Sequence, residues 1–81
     1  MRESGDLLQQ WVVEAIRASG GSASVVDVAK RVWNAHEQDI RSRGDLLFTW
    51  QYDMRWAAHA LRRKGVVKPA QQSPRGIWEV V

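Results

Sequence analysis

Apolar residues recur at helical spacing through most of this chain and change to strand-like runs only near its end. Leu8, Trp11, Val12, Ala15 and Ile16 fall on one face of a first helix. Ser4 or Asp6 is suited to cap it, and Gly20-Gly21 stops it just after Ser19. Ser22-Ala23-Ser24 reads as a short strand or an extended connector, with Ser24 as the cap of a second helix beginning at Val25. Val25, Val28, Ala29, Val32 and His36 form the stripe of that helix. Its end has two readings: the stripe extends to Ile40, or the helix stops near Glu37 and leaves a separate turn. Gly44 is a candidate C-terminal cap.

Leu46, Leu47 and Phe48 read as a hydrophobic lead-in tucked under the domain, and Thr49 as the cap of a third helix reaching about Lys64. At ~100° per residue this helix divides into two faces. Trp50, Met54, Ala57 and Leu61 share one, with Asp53, Trp56 and Ala60 beside it. Gln51, Tyr52, Arg55, His59, Arg62 and Arg63 occupy the other. Gly65 ends the helix at a tight corner. Val66-Val67-Lys68 and Ile77 to Val81 then read as two strands of a hairpin, joined by a loop from Pro69 to Gly76. Three helices followed by a C-terminal β-hairpin wing predict an α+β winged helix-turn-helix over residues 1–81, with a short extra helix allowed between residues 37 and 47.

Composition narrows the chemistry. A chain of 81 residues is sized for one domain. Its five tryptophans supply large side chains for a small core. Trp11, Trp50, Trp56 and Trp78 sit at core positions, whereas Trp33 flanks the second stripe and is available to a partner. The absence of cysteine excludes disulfides and thiolate metal sites. His36 and His59 are too widely spaced to suggest a metal centre. Asp27, Glu37, Asp39 and Asp45 do not gather at the spacing of a metal-dependent nuclease, and neither a P-loop nor Gly-x-Ser-x-Gly occurs. The expectation is a non-catalytic protein with no cofactor, metal or small-molecule substrate. No signal-peptide or membrane-spanning run is present, which predicts a cytoplasmic protein, nucleoid-associated if it binds DNA.

The formal net charge is only +3, but it is unevenly spread. Arg55, Arg62, Arg63, Lys64, Lys68 and Arg75 follow one another with no Asp or Glu from Arg55 to Arg75, a composition suited to a polyanion. An α-helix fits the major groove, where Arg pairs with guanine and Gln with adenine. Gln51, Tyr52 and Arg55 lie in the first turns of the third helix, the part that approaches base edges in helix-turn-helix proteins. Arg62 and Arg63 suit phosphates or support of the helix end. His59 touches a phosphate or is simply exposed. Arg75, on the loop, suits the backbone or a minor groove.

The run Trp56-Ala57-Ala58-His59-Ala60-Leu61-Arg62-Arg63-Lys64-Gly65-Val66-Val67, followed by Pro74-Arg75-Gly76-Ile77-Trp78-Glu79-Val80, resembles the winged-helix domain at the amino end of Mrr-type restriction proteins. A Trp-Ala pair, a Leu, a basic-Gly corner and an Arg-Gly-aromatic strand occur there in the same order. The resemblance covers about the last 35 residues, and the first two helices match only by pattern. It implies a bacterial or phage protein that binds double-stranded DNA, with Gln51, Tyr52 and Arg55 on the reading helix and Arg75 on the wing. These 81 residues contain no nuclease domain, so the resemblance does not extend to restriction. The alternative is a protein-interaction or assembly module on the same scaffold, working with a protein partner or as a homodimer. Exposure of Trp33, or of a Leu46, Leu47 and Phe48 patch, would favour that alternative.

Overall fold

A computed structural model describes residues 3–81 of the chain, and Met1 and Arg2 lie outside the described residues. Five regular elements and one short turn follow in order: α1 (Glu3–Ala18), β1 (Ser22–Ser24), α2 (Val25–Ser42), α3 (Leu46–Arg63), a 3-10 turn (Ala70–Gln72) and β2 (Ile77–Glu79). The fold is α+β, three helices against a two-stranded antiparallel sheet.

The predicted apolar stripes meet in one core. Leu8, Val12 and Ile16 of α1, Val28, Val32 and Ile40 of α2, and Met54 and Leu61 of α3 are all buried. Val67 and Trp78 close it from the sheet side. Ala57 and Ala58 are buried as well, and their small side chains let α3 lie close to its neighbours. No polar or charged residue is buried among the described residues. Desolvation of unpaired charge therefore costs this core nothing.

Glycines set two of the corners. α1 ends in paired bonds, Gly20 N–H to Arg17 O at 3.0 Å and Gly21 N–H to Ile16 O at 2.9 Å. α3 ends the same way, Gly65 N–H to Arg62 O at 3.1 Å and Val66 N–H to Leu61 O at 3.0 Å. This is the Schellman arrangement, which places one residue in the left-handed region, and Gly20 and Gly65 have φ of +89° and +78°. The second corner turns the chain straight from α3 into residues 66–68.

Ser24 caps α2 as expected, its hydroxyl oxygen accepting from Asp27 N–H at 3.0 Å. Helical structure continues to Ser42 and buries Ile40, but it is two helical stretches joined across a kink at His36, so each of the two readings is met in part. His36 has non-helical backbone angles, φ −131° and ψ 20°. Its ring stacks on Trp11 with centroids 4.1 Å apart, and its Nε2 lies 3.3 Å from Glu14 of α1. The break thus falls where α2 leans on α1.

Several expectations are corrected. α1 begins at Glu3, so Ser4 and Asp6 lie within its first turn instead of preceding it. α3 begins at Leu46, three residues before the expected cap. Leu46 joins the core as a helical residue, Leu47 is half-buried, and Phe48 stands in solvent at 84% exposure. Thr49 lies inside the helix and donates its hydroxyl to Asp53 at 2.9 Å. The C-terminal hairpin also differs. Residues 66–68 meet the last strand only through an isolated Val67–Val80 bridge, and the regular partner of β2 is β1. Ser22, Ala23 and Ser24 pair with Glu79, Trp78 and Ile77. Beyond Lys68 the chain leaves the sheet at Pro69, and the 3-10 turn that follows carries it away.

Candidate nucleic-acid interface

Gln51, Tyr52, Arg55, His59 and Arg63 all face solvent on α3, and Arg75 is exposed in the loop before β2. At ~100° per residue, Gln51, Arg62, Arg55, Phe48, His59, Tyr52, Arg63 and Trp56 follow one another around an arc of about 140°. The opposite side of the helix carries Trp50, Met54, Ala57 and Leu61 into the core. One helix therefore holds most of the predicted site residues on a single continuous face. Arg75 lies off this helix, beyond the 3-10 turn, where it lines one shallow pocket together with Arg62. It is next to Gly76, whose carbonyl accepts from Val25 N–H at 3.0 Å. That bond ties the base of the loop to the start of α2.

Arg62 has a different role from the other arginines. It is half-buried, and its Nε donates to the Lys68 carbonyl at 3.2 Å across the Gly65 corner. Of its two expected roles, support of the helix end is the one seen. Lys64 is directed to α1, donating to Gln9 Oε1 at 2.6 Å.

The electrostatics of α2 and α3 contrast. On α2, Arg41 meets Glu37 at 2.8 Å and Arg43 meets Asp39 at 2.9 Å, each one turn apart. No ion pair among the described residues uses Arg55, Arg63 or Arg75. The sole carboxylate of α3, Asp53, accepts the Thr49 hydroxyl. No Asp or Glu occurs between Asp53 and Glu79. The positive charge on this side is consequently not neutralised by neighbouring side chains.

The tryptophans divide differently from the expectation. Trp11, Trp50 and Trp78 are buried, and Trp33 is half-buried, stacked on Trp50 at 5.6 Å with the Arg41 guanidinium 5.2 Å above it. Trp56 is not a core residue. It is 57% exposed and lies beside Tyr52 and His59, with ring centroids 6.2 Å and 5.8 Å away. The wheel puts it at the edge of the apolar face, and the three alanines at 57, 58 and 60 let the core close without it. The signal that could have identified it is the one-turn spacing of Phe48, Tyr52 and Trp56.

No group of three or more His, Cys, Asp or Glu able to hold a metal ion occurs among the described residues. No helix among them is long and apolar enough to cross a membrane. No protein-family model matches this chain, and no similar protein was found among curated proteins or solved structures.

Proposed function

We propose that this chain is a non-catalytic duplex-DNA-binding domain of winged-helix type, with α3 as the reading helix and the Pro69–Gly76 loop as the wing. The observation that carries the reading is the unpaired cationic face of α3, where Arg55 and Arg63 stand exposed on a helix whose one carboxylate is already engaged. Gln51 and Arg55 supply hydrogen bonds suited to base edges. Arg63, Lys68 and Arg75 supply phosphate contacts. The order helix, strand, helix, helix, bridge, strand is compatible with a winged helix, and the likeness of the last 35 or so residues to Mrr-type winged-helix domains belongs to the same proposal.

The protein-interaction alternative has less support. Leu46 is in the core, and Trp33 is partly covered by Trp50 and Arg41, so Phe48 alone remains fully open from the surfaces that would favour it. Binding of a blunt duplex across a salt series is the test. Three to five phosphate contacts give a slope of log affinity against log salt of roughly −3 to −5. No binding at low salt, or a slope near zero, overturns the DNA reading.

A further inference from the structure

Phe48, Tyr52 and Trp56 follow one another at one-turn spacing along the exposed face of α3, at 84%, 65% and 57% exposure. Water-exposed aromatic rings are costly to leave uncovered, and three in a row on one helix form a single apolar strip. Trp56 is held between Tyr52 and His59 by edge contacts, at interplanar angles of 67° and 87°. Neither neighbour is stacked parallel on the indole, and Trp56 remains 57% exposed.

Arg55, His59 and Arg63 form a parallel row along one side of the strip, and neither arginine is ion-paired among the described residues. This border selects the occupant. A second copy packed strip to strip would set these arginines near their own counterparts, and like charges oppose such a symmetric contact. A polyanion with flat apolar faces satisfies both parts of the surface. Paired bases in a major groove offer edges, with only the thymine methyl for apolar contact. Unpaired bases offer their faces, and stacking on aromatic side chains is how single strands are commonly held.

We infer that the Phe48–Tyr52–Trp56 strip stacks unpaired nucleobases, so that α3 prefers nucleic acid with a single-stranded segment over fully paired duplex. The inference rests on the nucleic-acid reading above but not on its duplex part.

The test compares a blunt duplex, the same duplex with a short oligo-dT overhang, and oligo-dT alone, using fluorescence anisotropy with the full chain. The parent binds the overhang duplex about tenfold more tightly than the blunt one, the gain of roughly one stacked base. Trp56→Ala and Phe48→Ala each lose that preference, while Trp56→Phe, which keeps a stacking ring, restores most of it. Circular dichroism melts establish that the variants are folded. Equal parent affinity for blunt and overhang duplexes overturns the inference. So does an unchanged overhang preference in both alanine variants, or an equal loss by those variants on both duplexes. Loss of a dimer in Trp56→Ala, read by sedimentation, assigns the strip to a second copy and also overturns it. Oligo-dT binding without blunt-duplex binding removes the duplex reading and leaves this one standing; no binding to any probe removes both.

Discussion

Trp50 and Trp56, six residues apart on the same helix, show how far residue identity alone leaves energetics open. Trp50 is 7% exposed and stacked on Trp33, so Trp50→Ala creates a cavity and removes a ring contact. It is expected to cost about 3–5 kcal/mol. Trp56 is 57% exposed and outside the core, so Trp56→Ala is expected to change stability by less than about 1 kcal/mol. Chemical denaturation of the two variants gives the comparison, and an equal loss in both would contradict the solvent-facing position of Trp56. The arginines separate by the same logic. Arg55→Ala is expected to lose about 1–3 kcal/mol on a preferred duplex and to flatten discrimination between sequences. Arg75→Ala is expected to weaken all duplexes alike and reduce the salt slope by about one. Affinity measured on several duplexes across salt distinguishes them; if folded Arg55→Ala binds every duplex like the parent, α3 is not the reading element.

At the scale of elements, stripes and caps were legible where they are local. The α1 face, the Ser24 cap and the Gly65 corner follow from spacings of a few residues, and all three appear as expected. The start of α3 was not legible, because Asp45 makes no side-chain cap bond and Thr49 resembles a better one. Burial of Leu46 against the other helices sets the start instead, a tertiary effect that local propensity does not contain. The last strand was recognisable, and residues 66–68 meet it at Val67–Val80 as the hairpin reading expects, but its regular partner was not legible. An alternating run announces a strand without naming its neighbour, and the loop from Pro69 to Gly76 made the local hairpin the natural choice. β1, more than fifty residues earlier in the sequence, supplies the regular pairing. On the predicted site, the polar arc was legible from the wheel, whereas the aromatic strip was hidden by assigning Trp56 to the core and Phe48 to a buried lead-in. The Gly65 corner has a direct test. A Cβ there meets no atom within 4 Å, so Gly65→Ala measures backbone strain alone at φ +78°. The expected loss is about 1–2 kcal/mol in urea denaturation, and an unchanged midpoint would show that the corner relaxes to another geometry.

At the scale of the molecule, the arrangement of charge constrains assembly. One small module covers roughly 600–1,000 Å² of DNA surface, less than most specific complexes use. A single copy is therefore expected to bind weakly at physiological salt, and sharp site selection requires a second copy, a tandem partner or a fused domain. The α3 face is a poor place for two copies to meet, because Arg55 and Arg63 would oppose each other across a symmetric contact. The surfaces left for pairing are the outer side of α1, the wing and the segment of residues 37–45, where Glu37 and Asp39 are already paired with Arg41 and Arg43 within one copy. Sedimentation velocity of the free protein, then with one short duplex, separates the possibilities. The expected outcome is a monomer when free, with a second copy joining only on a longer duplex and with α3 of both copies facing the nucleic acid. A monomer holding one short site at nanomolar affinity in physiological salt would refute the need for a second module. A free dimer abolished by reversing the charge of Arg55 and Arg63 to Glu would instead place the subunit contact on α3 and remove that helix from the nucleic-acid interface.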